Sequence, residues 1–297
     1  MKKLLYLSIS IVLACNSPQK EKPVSDLDIQ GHRGARGLYP ENSLIGFEKA
    51  LEMGVTTLEL DLCVSQDSQL IVSHEPYFSS TICLYPDGTE IPEDSAQELN
   101  MYEMSYEEIS GYDCGSKGNP GFPEQKKIST SKPLLTQVFD RIESKDEKSE
   151  GKKVRYNIEI KSLEPFDNVY HPSPPVFSDL VYQTINDRID WSRITIQSFD
   201  FRVLQYFNQN YPEVRLALLI ENDNSWQDNL DSLGFTPDIY SCYYKHLTVE
   251  NTEALKYMEM QVIPWTVNNE EDMKKLVKMG VDGLITDYPD RAIELFY

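Results

Sequence analysis

Histidine is scarce in this chain: 297 residues hold only four, His32, His74, His171 and His246. Cysteine is nearly as rare, with five copies and no C-x-x-C pair, which argues against a thiolate zinc site. Cations are outnumbered, 28 Lys and Arg against 48 Asp and Glu, for a net charge of −20. Nucleic acid binding needs clustered cations, so a nucleic acid partner is excluded, and the same balance disfavours broad adsorption to anionic lipid. No apolar run reaches the roughly 20 residues that span a bilayer. There is no glycine-rich nucleotide loop and no internal repeat beyond an alternation of strand and helix patterns.

That alternation sets the fold. Strand-like runs lie near 28–32, 57–62, 154–160, 193–197, 214–220, 237–241, 261–265 and 281–286. Helical patterns separate most of them, such as Leu44, Phe47 and Leu51 at i, i+3, i+7, and the stretches 176–189 and 269–279. Eight strands alternating with helices over about 270 residues fit a (β/α)8 TIM barrel. An open doubly wound sheet is the alternative. Polar and charged residues at the strand ends, including Gln197 and Trp265, favour the barrel because they converge on one rim, where both are expected to meet substrate.

One segment breaks the rhythm. Residues 75–132 are rich in Ser, Tyr, Glu, Gly and Pro without a long apolar period, too long for an ordinary loop, and read as an insertion into the barrel domain 28–297. A short charged stretch, 144–153, reads as a solvated loop.

The amino terminus points to export. Lys2 and Lys3 precede an apolar run from Leu4 to Ala14 that ends in Val-Leu-Ala-Cys at 12–15. The layout resembles a bacterial lipobox, so 1–14 is expected to be a signal peptide, Cys15 the lipidated first residue, and 15–27 a tether. An ordinary signal cut nearby is the alternative. The expected product is a periplasmic or outer-membrane lipoprotein that meets the membrane through its anchor only. Loss of the two lysines takes its charge from −20 to near −22. In an oxidising compartment Cys83 and Cys114, both in the insertion, are expected to pair and to constrain a loop that lacks a core of its own. Cys63 and Cys242 read as small buried fillers, and His171 and His246 as surface residues.

The chemistry gathers at strand ends. In TTLELDL, Glu59 and Asp61 share one face of a strand while Leu58, Leu60 and Leu62 take the other. Adjacent carboxylates repel, and a bound cation is the usual reason to keep them; oxygen ligands suit Ca²⁺ or Mg²⁺. Glu159 in YNIEIKS repeats the pattern, with Lys161 two residues on. Alternating charges are also ordinary on half-exposed strands. His32 and His74 close apolar stretches at strand-to-loop junctions, where α/β enzymes place general acids and bases. Arg33 supplies a planar fork suited to phosphate.

The stretch from Gly31 to Pro76, GHRGARGLYPENSLIGFEKALEMGVTTLELDLCVSQDSQLIVSHEP, closely resembles the opening of the glycerophosphodiester phosphodiesterases. The likeness continues more thinly through NIEIK at 157–161, ITIQSFD at 194–200, VIPWTVN at 262–268 and VDGLITDYPD at 281–290. It implies a TIM barrel whose insertion covers the substrate side. It also implies His32 and His74 as the acid/base pair, Glu59, Asp61 and Glu159 as ligands of one divalent cation, and Arg33 and Lys161 as phosphate contacts. Ca²⁺ is preferred over Mg²⁺ for an exported site. The implied reaction is hydrolysis of glycerophosphodiesters to sn-glycerol 3-phosphate and an alcohol, with the substrate's own 2-hydroxyl attacking to give a cyclic phosphate that water opens. A lysophospholipase D or sphingomyelinase D-like activity on lipids is the alternative, and a phosphodiester-binding lipoprotein without catalysis the third reading. Glu75 stands where the family usually has Asp, and Gln66-Asp67-Ser68 replaces its Asp-Gly turn; both are expected to affect loop geometry only. Oligomeric state is not legible.

Overall fold

A computed structural model describes residues 27–146 and 153–297. The expected signal peptide, Cys15 and all of the tether except Leu27 lie outside the described residues, as do 147–152.

Eight parallel strands form the barrel: β1 (Asp28–Gly31), β2 (Thr57–Val64), β4 (Arg155–Ile160), β5 (Ile194–Ser198), β6 (Arg215–Ile220), β7 (Ile239–Cys242), β8 (Gln261–Val262) and β9 (Gly283–Thr286). Their order is β8-β7-β6-β5-β4-β2-β1-β9. The two ends of this order meet through backbone bonds, Asp282 N to Val262 O at 2.8 Å, Ile285 N to Pro264 O at 3.0 Å and Val267 N to Ile285 O at 2.9 Å. A nearly closed barrel therefore replaces the open-sheet alternative. Around it run α1 (Leu44–Met53), α3 (Leu135–Asp146), α4 (Pro174–Asn186), α5 (Phe201–Asn210), α6 (Trp226–Leu233), α7 (Val249–Tyr257), α8 (Glu270–Met279) and α9 (Pro289–Phe296). Local chemistry fixes their ends: Ser43 caps α1 by accepting from Gly46 N, and Gly54 ends it at φ 94°, a left-handed conformation that costs glycine little. The charged stretch expected as a loop begins instead inside α3, where Lys145 pairs with Glu48 of α1 at 2.8 Å.

Strand parity divides two environments. Leu58, Leu60 and Leu62 join Ile158, Ile160 and the helices in the main core. Inside the barrel a small apolar floor of Ala217, Ile239, Ile263 and Ile285 lies on one side. On the other, Gln30, Asn157 and Gln197 form a buried amide chain: Asn157 Nδ2 donates to Gln30 Oε1 at 2.8 Å and to Gln197 Oε1 at 2.9 Å.

The apolar stretch that His74 closes forms the expected strand, β3 (Leu70–Val72), short and antiparallel to β2 with Cys63 opposite Ile71. The insertion that follows departs from expectation in having a core of its own, with Ile71, Phe78, Ile91, Met101 and Ile109 buried together and the Phe78 and Tyr112 rings stacked at 3.7 Å. A short helix, α2 (Tyr106–Ile109), sits within it, and Cys83 and Cys114 are bonded with their Cα atoms 3.9 Å apart. The sequence pattern hides this core because its apolar residues are spaced irregularly along turns. The insertion reaches both neighbours of the barrel mouth: Lys126 N donates to Leu38 O at 2.9 Å in the β1–α1 loop, and Asn100 Nδ2 to Val169 O at 2.7 Å in the β4–α4 loop.

Candidate active site

β1, β2 and β4 deliver their polar side chains to the carboxyl end of the barrel. Glu59, Asp61 and Glu159 are buried, and each offers a carboxylate oxygen within 4.8 Å of the others. Their supports differ. Glu59 Oε1 accepts from Gln197 Nε2 at 2.8 Å and Oε2 from the backbone N–H of Arg33 at 2.8 Å. Asp61 Oδ2 accepts from Asn42 Nδ2 at 2.8 Å, while Oδ1 is buried without a hydrogen-bond partner. Glu159 Oε1 accepts from Lys161 Nζ at 2.7 Å.

Burial, and then the neighbouring Asp61 charge, pushes the Glu59 carboxyl well above the ordinary range. Burial also raises Glu159 against the pull of Lys161. Burial works against ionised Asp61 too, but Arg33, His74 and Lys161 outweigh it and hold Asp61 low. Three carboxyl groups gathered this tightly, one with an orphaned oxygen, fit a hard divalent cation by donor chemistry. Formal charge agrees: with all six carboxyls ionised, Glu41, Glu59, Asp61, Glu75, Glu159 and Asp287 exceed Arg33, Arg36, Lys132 and Lys161 by two negative charges, which a divalent cation would balance.

Each imidazole is anchored at Nδ1 by a carboxylate. His32 Nδ1 lies 2.7 Å from Asp287 Oδ1, and His74 Nδ1 lies 2.7 Å from Glu75 Oε1. An ionised carboxylate only accepts, so Nδ1 carries a proton in both rings. His32 Nε2 stands 4.0 Å from Glu59 Oε2. Burial lowers the His32 pKa to about 4, with Asp287 opposing and Arg36 adding, so the ring is neutral at pH 7. Asp287 is fixed in turn by Arg36 Nε at 2.8 Å and Asn268 Nδ2 at 2.7 Å. The His74 hydrogen bond and charge bring Glu75 down to about 2 despite burial. Glu75 therefore touches a candidate catalytic histidine, and the expectation that it shapes only the loop is corrected. The other sequence departure is local: Ser68 holds φ 58° in the turn where a glycine would be unstrained.

The remaining expected residues fall in distinct places. Arg33, itself at φ 50°, donates from Nη1 to Glu41 Oε1 at 2.8 Å and brings Nε within 3.4 Å of Asp61 Oδ2. Lys161 sits beside Glu159 and 3.9 Å from Asp61 Oδ1. Gln197 lies beneath Glu59 with both ends of its amide engaged. Trp265 is on the rim, its ring 5.5 Å from Phe199 and its indole N–H donating to Ser241 O at 3.0 Å. Cys63 and Cys242 are buried and unbonded to one another. His171, expected at the surface, is buried: Leu163 N donates to its Nε2 at 3.0 Å, and its Nδ1 lies 2.8 Å from Pro172 O. His246 is half-buried, its ring 5.5 Å from that of Tyr243.

Sequence reasoning missed Glu41, Asn42, Asn268 and Asp287. Glu41 and Asn42 stand inside the PEN run that carries part of the family likeness, and Asp287 and Asn268 inside TDYPD and WTVN. Polar residues just past a strand end were the available signal.

Known proteins resemble the chain along most of its length. It is 28% identical over 271 residues to a glycerophosphodiester phosphodiesterase of Bacillus altitudinis, covering 90% of this chain and 97% of that one. A solved protein of Silicibacter pomeroyi DSS-3, assigned to the glycerophosphoryl diester phosphodiesterases, superposes with a TM-score of 0.80 at 25% identity, covering 91% and 93% of the two chains. A phosphodiesterase of Oleispira antarctica, solved with the product sn-glycerol-3-phosphate, shares the fold with a TM-score of 0.70 at 21% identity over 90% and 95%. The glycerophosphoryl diester phosphodiesterase family model matches residues 32–291, and the chain belongs to that family.

Proposed function

We propose that the protein hydrolyses glycerophosphodiesters to sn-glycerol 3-phosphate and an alcohol, using Glu59, Asp61 and Glu159 to hold one divalent cation. The observation that carries this reading is the buried carboxylate cluster flanked by two carboxylate-anchored imidazoles. A bound divalent cation supplies Lewis acidity and charge neutralisation at the phosphoryl oxygens. All-oxygen ligands and the export signal favour Ca²⁺ over Mg²⁺.

His32, neutral and locked in one tautomer, takes the proton of the attacking glycerol 2-hydroxyl through Nε2. The new P–O bond forms as the bond to the leaving alcohol breaks, and His74, which must enter this step with a proton on Nε2 as well as on the Nδ1 held by Glu75, gives that alcohol its Nε2 proton. The roles reverse when water opens the cyclic phosphate. Arg33 and Lys161 lie against phosphate charge, and Trp265 lines the rim. Gln197 acts through Glu59 by fixing its carboxylate, a positioning role. The leader supports export and attachment through Cys15, while Cys83–Cys114 holds the insertion beside the cleft.

One observation favours a lipid substrate as a second reading. Leu163, Phe166 and Val169 are 53%, 41% and 50% exposed in the loop after β4, on the same barrel end as Phe199 and Trp265. An acyl chain would cover such a rim. The test compares release of sn-glycerol 3-phosphate from glycerophosphocholine with release of choline from lysophosphatidylcholine. Faster turnover of the first supports glycerophosphodiester hydrolysis; faster turnover of the second transfers the assignment to lysophospholipase D. Binding without turnover of either would leave a non-catalytic receptor.

A further inference from the structure

The insertion returns to the barrel through residues 130–134. Val72 N donates to Pro133 O at 2.8 Å and Ile71 bridges Leu134 in antiparallel fashion. By that register Lys132 lies opposite Ser73, the residue before His74. Lys132 is only 7% exposed as a residue, and among the described residues its ammonium makes no hydrogen bond and no ion pair, although the nitrogen itself is not fully enclosed. It stands within electrostatic reach of Glu41, Cys63, Glu75 and Arg33. Both nearby carboxylates are already committed, Glu41 to Arg33 Nη1 at 2.8 Å and Glu75 to His74 Nδ1 at 2.7 Å. Cys63 follows Asp61 by two on the same face of β2, and the charges of both Lys132 and Lys161 act on it. Both lysines therefore act at the carboxyl end of β2, with Arg33 the third cation within reach.

An ammonium with a buried stem and no protein acceptor has its hydrogen-bonding capacity free for an anion, and the register sets this one beside the residue that precedes His74. We propose that Lys132 is a substrate-binding residue, its ammonium donating to a non-bridging oxygen of the phosphodiester alongside Arg33 and Lys161. This rests on the reading of the site as a phosphodiester site. It gives the insertion a direct part in binding: the segment that closes it also carries a charge into the cleft.

The test uses the whole protein, wild type and with Lys132→Met, Lys132→Gln or Lys132→Arg. Three quantities are read: KM and kcat with glycerophosphocholine, the inhibition constant of sn-glycerol 3-phosphate, and the melting temperature with and without that product. The expected result for Lys132→Met is about tenfold weaker product inhibition and a raised KM, because a charge-assisted bond is lost. Its ligand-free melting temperature should stay the same or rise, since no hydrogen bond or ion pair within the protein is lost and the buried stem is kept. Lys132→Arg should recover part of the affinity. Wild-type turnover with unchanged product inhibition in Lys132→Met and Lys132→Gln overturns the contact and leaves the phosphodiester reading intact. A lowered melting temperature with unchanged inhibition also overturns it, making Lys132 a structural counter-charge for Glu41 and Glu75. Failure of the wild type to turn over substrate or bind product overturns the reading of the site, and the contact with it.

Discussion

Replacing Asp287 by Asn tests whether His32 works as an oriented base. Asp287 accepts His32 Nδ1 at 2.7 Å and Arg36 Nε at 2.8 Å on one oxygen, and Asn268 Nδ2 at 2.7 Å and Arg36 Nη2 at 3.1 Å on the other. Every one of these partners donates. An amide of the same shape must present its NH2 group to one of those pairs, so it either turns His32 to the other tautomer or abandons Asn268 and Arg36. A hydrogen bond to a charged group contributes roughly 1.5–3 kcal/mol, which corresponds to about a 10- to 150-fold loss in kcat. KM should change little, because Asp287 touches His32 rather than the substrate. Steady-state kinetics on glycerophosphocholine, with the melting curve alongside, give the number; a fall of a few degrees is expected from the stranded Arg36. The double variant with His32→Ala should lose no more than His32→Ala alone, since Asp287 acts through that ring. Turnover of Asp287→Asn within threefold of wild type, or additive losses in the double variant, would refute the coupling.

The site and the insertion make three further commitments. His32 is neutral in the folded protein down to about pH 4, whereas an unfolded chain protonates it near 6.5, so metal-free stability should fall as pH drops through that window, by roughly 3 kcal/mol; His32→Asn should flatten that part of a pH series of melting curves, and parallel curves would contradict it. Glu59 is pushed up by burial and by Asp61, so its ionised form destabilises the metal-free protein above the ordinary carboxylate range; Glu59→Gln should raise the metal-free melting temperature, abolish turnover and shrink the stabilisation that added Ca²⁺ or Mg²⁺ gives, and an undiminished metal-induced shift would count against a ligand role. Breaking the Cys83–Cys114 bridge opens a loop with a sequence separation of 31, worth roughly 3 to 4 kcal/mol in the chain-entropy model; because the barrel core is separate, Cys83→Ser with Cys114→Ser should alter KM or leaving-alcohol preference more than the barrel's unfolding, and hydrogen exchange accelerated equally in both regions would say otherwise.

What the sequence disclosed was whatever repeats with a short period. The pleat alone places Glu59 and Asp61 together, and the alternation of runs locates all eight parallel strands. Pairings across long stretches of chain were invisible: Asp287 lies 255 residues from the histidine it holds, and Gln197 lies 138 from Glu59. β3, three residues long, was marked only by the apolar stretch before His74, and its antiparallel pairing with β2 left no trace in the sequence. His171 shows the limit of reading polarity as exposure, since a backbone amide from Leu163 satisfies it inside the protein. Lys132 is the same lesson in reverse, a charge that composition assigns to solvent and the fold brings beside the carboxylates.

The most direct measurement is the rate of sn-glycerol 3-phosphate release from glycerophosphocholine before chelation, after exhaustive chelation, and after return of Ca²⁺ or Mg²⁺. Turnover should vanish when Glu59, Asp61 and Glu159 lose their cation and return when it is restored, with Ca²⁺ the better of the two. Turnover that survives complete removal of divalent ions would contradict a metal-dependent site at the carboxylate cluster.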